Sequence, residues 1–174
     1  MNLHRNDEAV DPPATRSRWG WALWACLLTT PVTAATPVFT DITDASGIDF
    51  VHDNGATGEK YVIETVGPGA GLLDLDADGD LDAYLINGAR TGPDAAPDPT
   101  LINRAYRNAG DGTFVEATAD WGLGDGGYGM GVCGADTDND GDIDVYLTNF
   151  GANRFFEGRD GRFVERTVEA GVSD

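Results

Sequence analysis

Short alternating apolar runs, separated by clusters of Gly, Asp, Asn and Pro, organise the chain beyond residue 66. Ala83-Tyr84-Leu85-Ile86 and Val145-Tyr146-Leu147-Thr148 are two of them. Runs this short, bounded by turn residues, predict strands rather than helices. Asp111-Gly112 and Asp160-Gly161 each join two such runs. Asp-Gly suits a hairpin because its backbone twist matches that of the flanking strands. Each stretch therefore predicts four strands. The first runs from the glycine pair (Gly67 and Gly69, or Gly129 and Gly131) into an aspartate-rich loop. The second leaves that loop through the Tyr-Leu run. The third follows Asn103-Arg104 or Asn153-Arg154, over Ala105 to Asn108 and Phe155 to Glu157. The fourth starts at Phe114 or Phe163.

The pattern repeats. DLDADGDLD begins at Asp74, and DTDNDGDID begins at Asp136, 62 residues later, with the glycine pairs at the same offset. A second element reads Phe, acid, Thr, Gly, apolar, and occurs three times. Its copies are Phe39-Asp41-Thr43-Gly47-Ile48, Phe114-Glu116-Thr118-Gly122-Leu123 and Phe163-Glu165-Thr167-Gly171-Val172. These landmarks divide the chain into units at about 66–123 and 128–174, preceded by a partial unit at 38–64. Tandem four-stranded units predict an all-β fold of β-propeller blades. The insertion GARTGPDAAPDPT after Asn87 predicts an exposed loop between the second and third strands of the first unit. A closed propeller typically has about 4–8 blades. An incomplete propeller is therefore expected, with open strand edges. The chain is expected to be a fragment, a truncated product, or a piece that self-associates.

Alternate aspartates in a tight loop can aim their oxygens at one centre, and Gly79 and Gly141 permit the sharp turn. An all-oxygen, carboxylate-rich set suits a hard cation, and its flexible geometry favours calcium (Ca2+) over magnesium. Ligands are expected at Asp74, Asp76, Asp78 and Asp82, and at Asp136, Asp138, Asp140 and Asp144. Asp80 and Asp142 would add backbone carbonyls. Two unit charges 4 Å apart in water repel by about 1 kcal/mol, so five carboxylates in nine residues call for a counter-ion. The plain alternative is a solvated acidic turn. An EF-hand needs Glu at position 12, where this chain has Leu85 and Leu147 in expected strands. A dockerin would need following helices, and thrombospondin-type repeats would need cysteines and close stacking.

Charge narrows the partners. Lys and Arg total 11 against 30 Asp and Glu, a formal net charge of −19. That excess excludes a nucleic-acid-binding face. Residues 1–35 read as a signal peptide: Arg16 and Arg18, an apolar run from Trp19 to Leu28, then Pro31 and small residues to Ala35. The run is too short to span a bilayer comfortably, so no membrane span is expected after its removal. A secreted, periplasmic or cell-surface location follows. Cys133 would then be the one remaining cysteine, without a disulfide partner. Bound metal is the obvious staple for such a domain.

These loops and flanking strands resemble the FG-GAP or VCBS-type repeat of integrin α-subunit propellers. That resemblance implies calcium in a loop between two strands of a blade. Gly47-Ile48-Asp49-Phe50, Phe50-Val51-His52, Glu64-x-x-Gly67, DLDADGDLD and NRAYRNAGDGTFVEAT are together similar to the ASPIC/UnbV group, which includes cartilage acidic protein. The resemblance covers roughly Val38 to Asp174.

No enzyme is expected. His52 is the lone histidine beyond the signal segment and falls in an expected strand. The glycine pairs lack the helix and lysine of a phosphate loop and are expected to pack inner strands closely. Cys133, on such a strand, is expected to be buried. Tyr84, Tyr146, Phe114 and Phe163 are expected between blades. Two functions fit: a calcium-stabilised adhesion or interaction module reading a protein or glycan, with residues 88–102 as one contact loop, or the non-catalytic propeller of a larger exported enzyme.

Overall fold

The computed structural model of the chain describes residues 38–93 and 95–173. The expected signal peptide lies outside them. A one-turn helix, α1 (Thr43–Ser46), and a 3-10 turn (Val62–Thr65) come first. The described part of the expected unit at 38–64 contains no strand. His52 lies exposed in an irregular connector rather than in a strand. The connector docks through isolated bonds: Asp53 N–H donates to Asn87 Oδ1 (2.9 Å), and Gly88 N–H donates to Asp53 O (3.0 Å).

Two antiparallel four-stranded sheets follow, each a simple meander. The first contains β1 (Ala70–Leu73), β2 (Asp82–Leu85), β3 (Arg104–Asn108) and β4 (Phe114–Glu116), and leads into α2 (Thr118–Trp121). The second contains β5 (Gly129–Ala135), β6 (Asp144–Asn149), β7 (Arg154–Arg159) and β8 (Arg162–Glu165), and leads into α3 (Thr167–Ala170). The Asp-Gly turns close the last hairpin of each sheet, and the insertion leaves between β2 and β3, as the sequence pattern predicts.

The repeated Phe-acid-Thr-Gly element has a physical explanation. The acid accepts the N–H that opens the following helical turn: Thr43 on Asp41 (2.9 Å), Thr118 on Glu116 (3.1 Å) and Thr167 on Glu165 (2.9 Å). The threonine hydroxyl then accepts a third-strand N–H, from Ala105 to Thr118 (2.8 Å) and from Phe155 to Thr167 (2.9 Å). Glycine ends the turn in the left-handed region that side chains disfavour (φ +79° at both Gly47 and Gly122). A Cβ on Gly47 would lie 2.6 Å from Phe114 O, and one on Gly122 would lie 2.8 Å from Phe163 O. Each turn therefore seats against the fourth strand of the sheet that follows it. Gly171, in the last copy, faces open space.

The core lies between the sheets. Tyr84, Ile86 and Ala105 meet Val145, Leu147, Phe156 and Phe163, with Leu75, Trp121 and Leu123 filling the remaining space. Each fully buried Leu or Phe stabilises the fold by about 1.5–3 kcal/mol. The two sheets contribute opposite faces. Tyr84 lies in the core, while its repeat counterpart Tyr146 lies on the outer face of the second sheet, opposite Cys133 and Phe155. Tyr84 and Phe163 are buried as expected, whereas Tyr146 and Phe114 are only half-covered. Cys133 is exposed, contrary to expectation, because it sits on the outer face with Tyr146, away from the core between the sheets. The first strands do approach closely at one glycine pair: Gly69 N–H donates to Met130 O at 2.8 Å.

Candidate metal centre

Each aspartate loop joins the first strand of its sheet to the second. The fourth residue of each loop is left-handed (Ala77, φ +59°; Asn139, φ +63°), and so is the sixth (Gly79, φ +94°; Gly141, φ +100°). This curls the chain so that the first aspartate accepts the N–H of that glycine. Gly79 donates to Asp74 Oδ2 and Gly141 to Asp136 Oδ2, both at 3.1 Å. The aspartate at the fifth loop position accepts the N–H two residues on: Asp80 to Asp78 (2.9 Å) and Asp142 to Asp140 (3.0 Å).

The aspartate at the ninth loop position is a staple. Asp82 is buried; its Oδ2 accepts Leu75 N–H (2.9 Å) and its Oδ1 accepts Asn108 N–H from β3 (2.8 Å). Asp144 repeats this with Thr137 N–H and Gly158 N–H, both at 2.9 Å, and also accepts the Thr137 hydroxyl. Burial raises the Asp82 pKa, and the two N–H bonds offset part of that shift. The aspartate at the seventh loop position reaches toward the last hairpin. Asp142 Oδ2 accepts Asp160 N–H (2.9 Å). Asp80 Oδ2 packs against Gly110, where a Cβ would lie 2.9 Å away.

This framework leaves three carboxylates converging in each loop. Asp74, Asp76 and Asp78 each bring one oxygen within 4.8 Å of the others, as do Asp136, Asp138 and Asp140. Asp74 Oδ1 and Asp76 Oδ1 are buried without a hydrogen-bond partner. A buried carboxylate oxygen with no donor is costly, and a hard cation is the ligand that would relieve it. The donor set therefore fits calcium. Among the ten aspartates expected to ligate, these six converge. Asp82, Asp142 and Asp144 accept N–H groups from neighbouring strands and turns, and Asp80 Oδ2 lies against Gly110.

The loops differ in their surroundings. Arg107 Nε lies 3.0 Å from Asp76 Oδ2, and the Arg107 guanidinium lies 5.1 Å from the centroid of the Trp121 ring. The residue at the same place in the second unit is Glu157, which pairs with Arg159 and Arg166. Among the described residues, no Arg or Lys pairs with the second loop. The Asp138 pKa is raised, first by lost solvation and then by its neighbours Asp140, Asp144 and Asp136. Motif reading passed over Arg107, which lies outside the aspartate loop. Strand alternation could have found it, since residues 105 and 107 share the face of Tyr84.

No helix among the described residues is long and apolar enough to cross a membrane. No curated protein matches this chain. Residues 74–147, from the first aspartate of one loop to the strand that leaves the other, match the family model of the FG-GAP-like repeat.

Proposed function

We propose that this protein is an exported repeat module whose two aspartate loops each hold a structural calcium ion, and that its surface serves protein or glycan recognition. The observation that carries this reading is the same carboxylate triad built twice, with Asp74 Oδ1 and Asp76 Oδ1 left buried and partnerless in one copy. FG-GAP repeats are generally structural modules, which favours a scaffolding ion over a catalytic one. Asp74, Asp76 and Asp78 would hold one ion, and Asp136, Asp138 and Asp140 the other. Asp82 and Asp144 keep lone pairs beyond their N–H bonds, so they can staple the loop and also reach the ion. Asp80 and Asp142 would contribute carbonyls. The bound ion would supply the positive charge that lets the carboxylates sit together.

The signal-like segment at 1–35 supports export, and the similarity to the ASPIC/UnbV group supports a place among exported acidic repeat proteins. Calorimetric titration of the whole chain tests the metal claim. Two sites are expected, with dissociation constants on the order of 10⁻⁴–10⁻³ M. The paired change Asp78→Ala and Asp140→Ala is expected to abolish both. Undiminished calcium binding in that variant would overturn the ligand assignment.

A further inference from the structure

We infer that Arg107 is a resident counter-charge for the first loop, so that calcium removal loosens the second loop while leaving the first largely formed. This rests on the calcium reading above. The two loops carry the same five-aspartate framework, and each must hold its carboxylates together when no ion is bound. In the first, Arg107 Nε sits 3.0 Å from Asp76 Oδ2, and the Asp76 side chain is only 17% exposed. Arg107 itself is 46% exposed, so solvent screens the pair in part, from the arginine side. Trp121, 2% exposed in the core, lies against the guanidinium at 5.1 Å and helps hold it in place. Arg107 lies on one oxygen of the Asp76 carboxylate, Oδ2, while the other, Oδ1, is buried without a hydrogen-bond partner.

The second loop has no such device. Its triad is exposed on all three residues. Glu157 stands where Arg107 would be, and its carboxylate is taken by Arg159 (2.7 Å) and Arg166 (3.3 Å). A metal-free first loop has part of its charge offset by Arg107, with Asp74 Oδ1 and Asp76 Oδ1 still lacking a donor; in a metal-free second loop, among the described residues, solvent alone screens the repulsion.

Hydrogen exchange of the whole chain, in calcium and in EDTA, tests this through the amides of residues 74–82 and 136–144. In the wild type, EDTA is expected to speed exchange in 136–144 at least about tenfold more than in 74–82, a ratio equal to about 1.4 kcal/mol of local opening energy. Arg107→Gln is expected to bring the calcium dependence of 74–82 up to that of 136–144. Arg107→Lys keeps the charge and is expected to restore the difference. Equal EDTA responses in the two wild-type loops would overturn the inference, as would an unchanged first loop in Arg107→Gln. Failure of the Lys variant to differ from the Gln variant would also count against it. No response in either loop would remove the calcium reading itself, a distinguishable result. If Arg107→Gln lowers global stability, the Lys variant and the ratio between loops still report the local effect.

Discussion

The two aspartate loops have the same backbone signs at their fourth and sixth residues and the same staple at their ninth, yet they lie in different settings. The first carries Arg107 on Asp76, with Trp121 against the guanidinium. The second triad is exposed, and Glu157 stands at the strand position equivalent to Arg107. The shared part is what the loop needs to turn and to join its strands. The differing part comes from a neighbouring strand. A repeat can thus preserve its geometry while each copy acquires its own charge environment.

The sheets show the same division. Position for position they match, but the first sheet turns its Tyr84 face inward and the second turns its Val145 and Leu147 face inward. Equivalent residues should therefore differ in energetic weight. Leu147→Ala empties a fully buried site and is expected to cost about 2–5 kcal/mol. Leu85→Ala, at the half-buried counterpart, should cost clearly less; equal losses in urea titrations would break the comparison. The tyrosines should differ by a smaller amount. Tyr84 donates its hydroxyl to Leu123 O at 2.7 Å inside the core. Its replacement by Phe leaves that carbonyl unsatisfied, at about 1–3 kcal/mol. Tyr146→Phe, on the outer face, should stay within about 0.5 kcal/mol of wild type.

The smallest expected effect concerns the outermost turn. Hydrogen bonds from the hydroxyl and N–H of Thr167 hold the exposed Glu165 carboxyl below its ordinary pKa, with Arg154 nearby adding to the shift. A depressed folded pKa means that this contribution is present above the unfolded value and is lost as pH falls through the folded one. Thermal melts across the acid range should therefore show a shallower pH slope for Glu165→Gln than for wild type. Parallel slopes would place the acid sensitivity elsewhere.

Much of this fold was legible in the residues. The strands, the Asp-Gly hairpins, the insertion and the loop framework are local features. Alternation, turn preference and a glycine at φ > 0 act over a few residues and need no distant partner. The clustering of carboxylates was legible in the loop spacing. Asp74, Asp76 and Asp78 converge, as do Asp136, Asp138 and Asp140, while Asp82 and Asp144 also bind β3 and β7 N–H groups that no spacing within the loop announces.

By itself the sequence determined two four-stranded units, each with a curled aspartate loop, because those features follow from backbone sterics and short-range hydrogen bonding. Tertiary structure decided the rest. It placed Tyr84 in the core and left Tyr146 and Cys133 outside, and it brought Arg107 to Asp76 in one unit with no equivalent in the other. Burial and electrostatics depend on which surfaces meet, and residues in identical repeat positions can meet different neighbours.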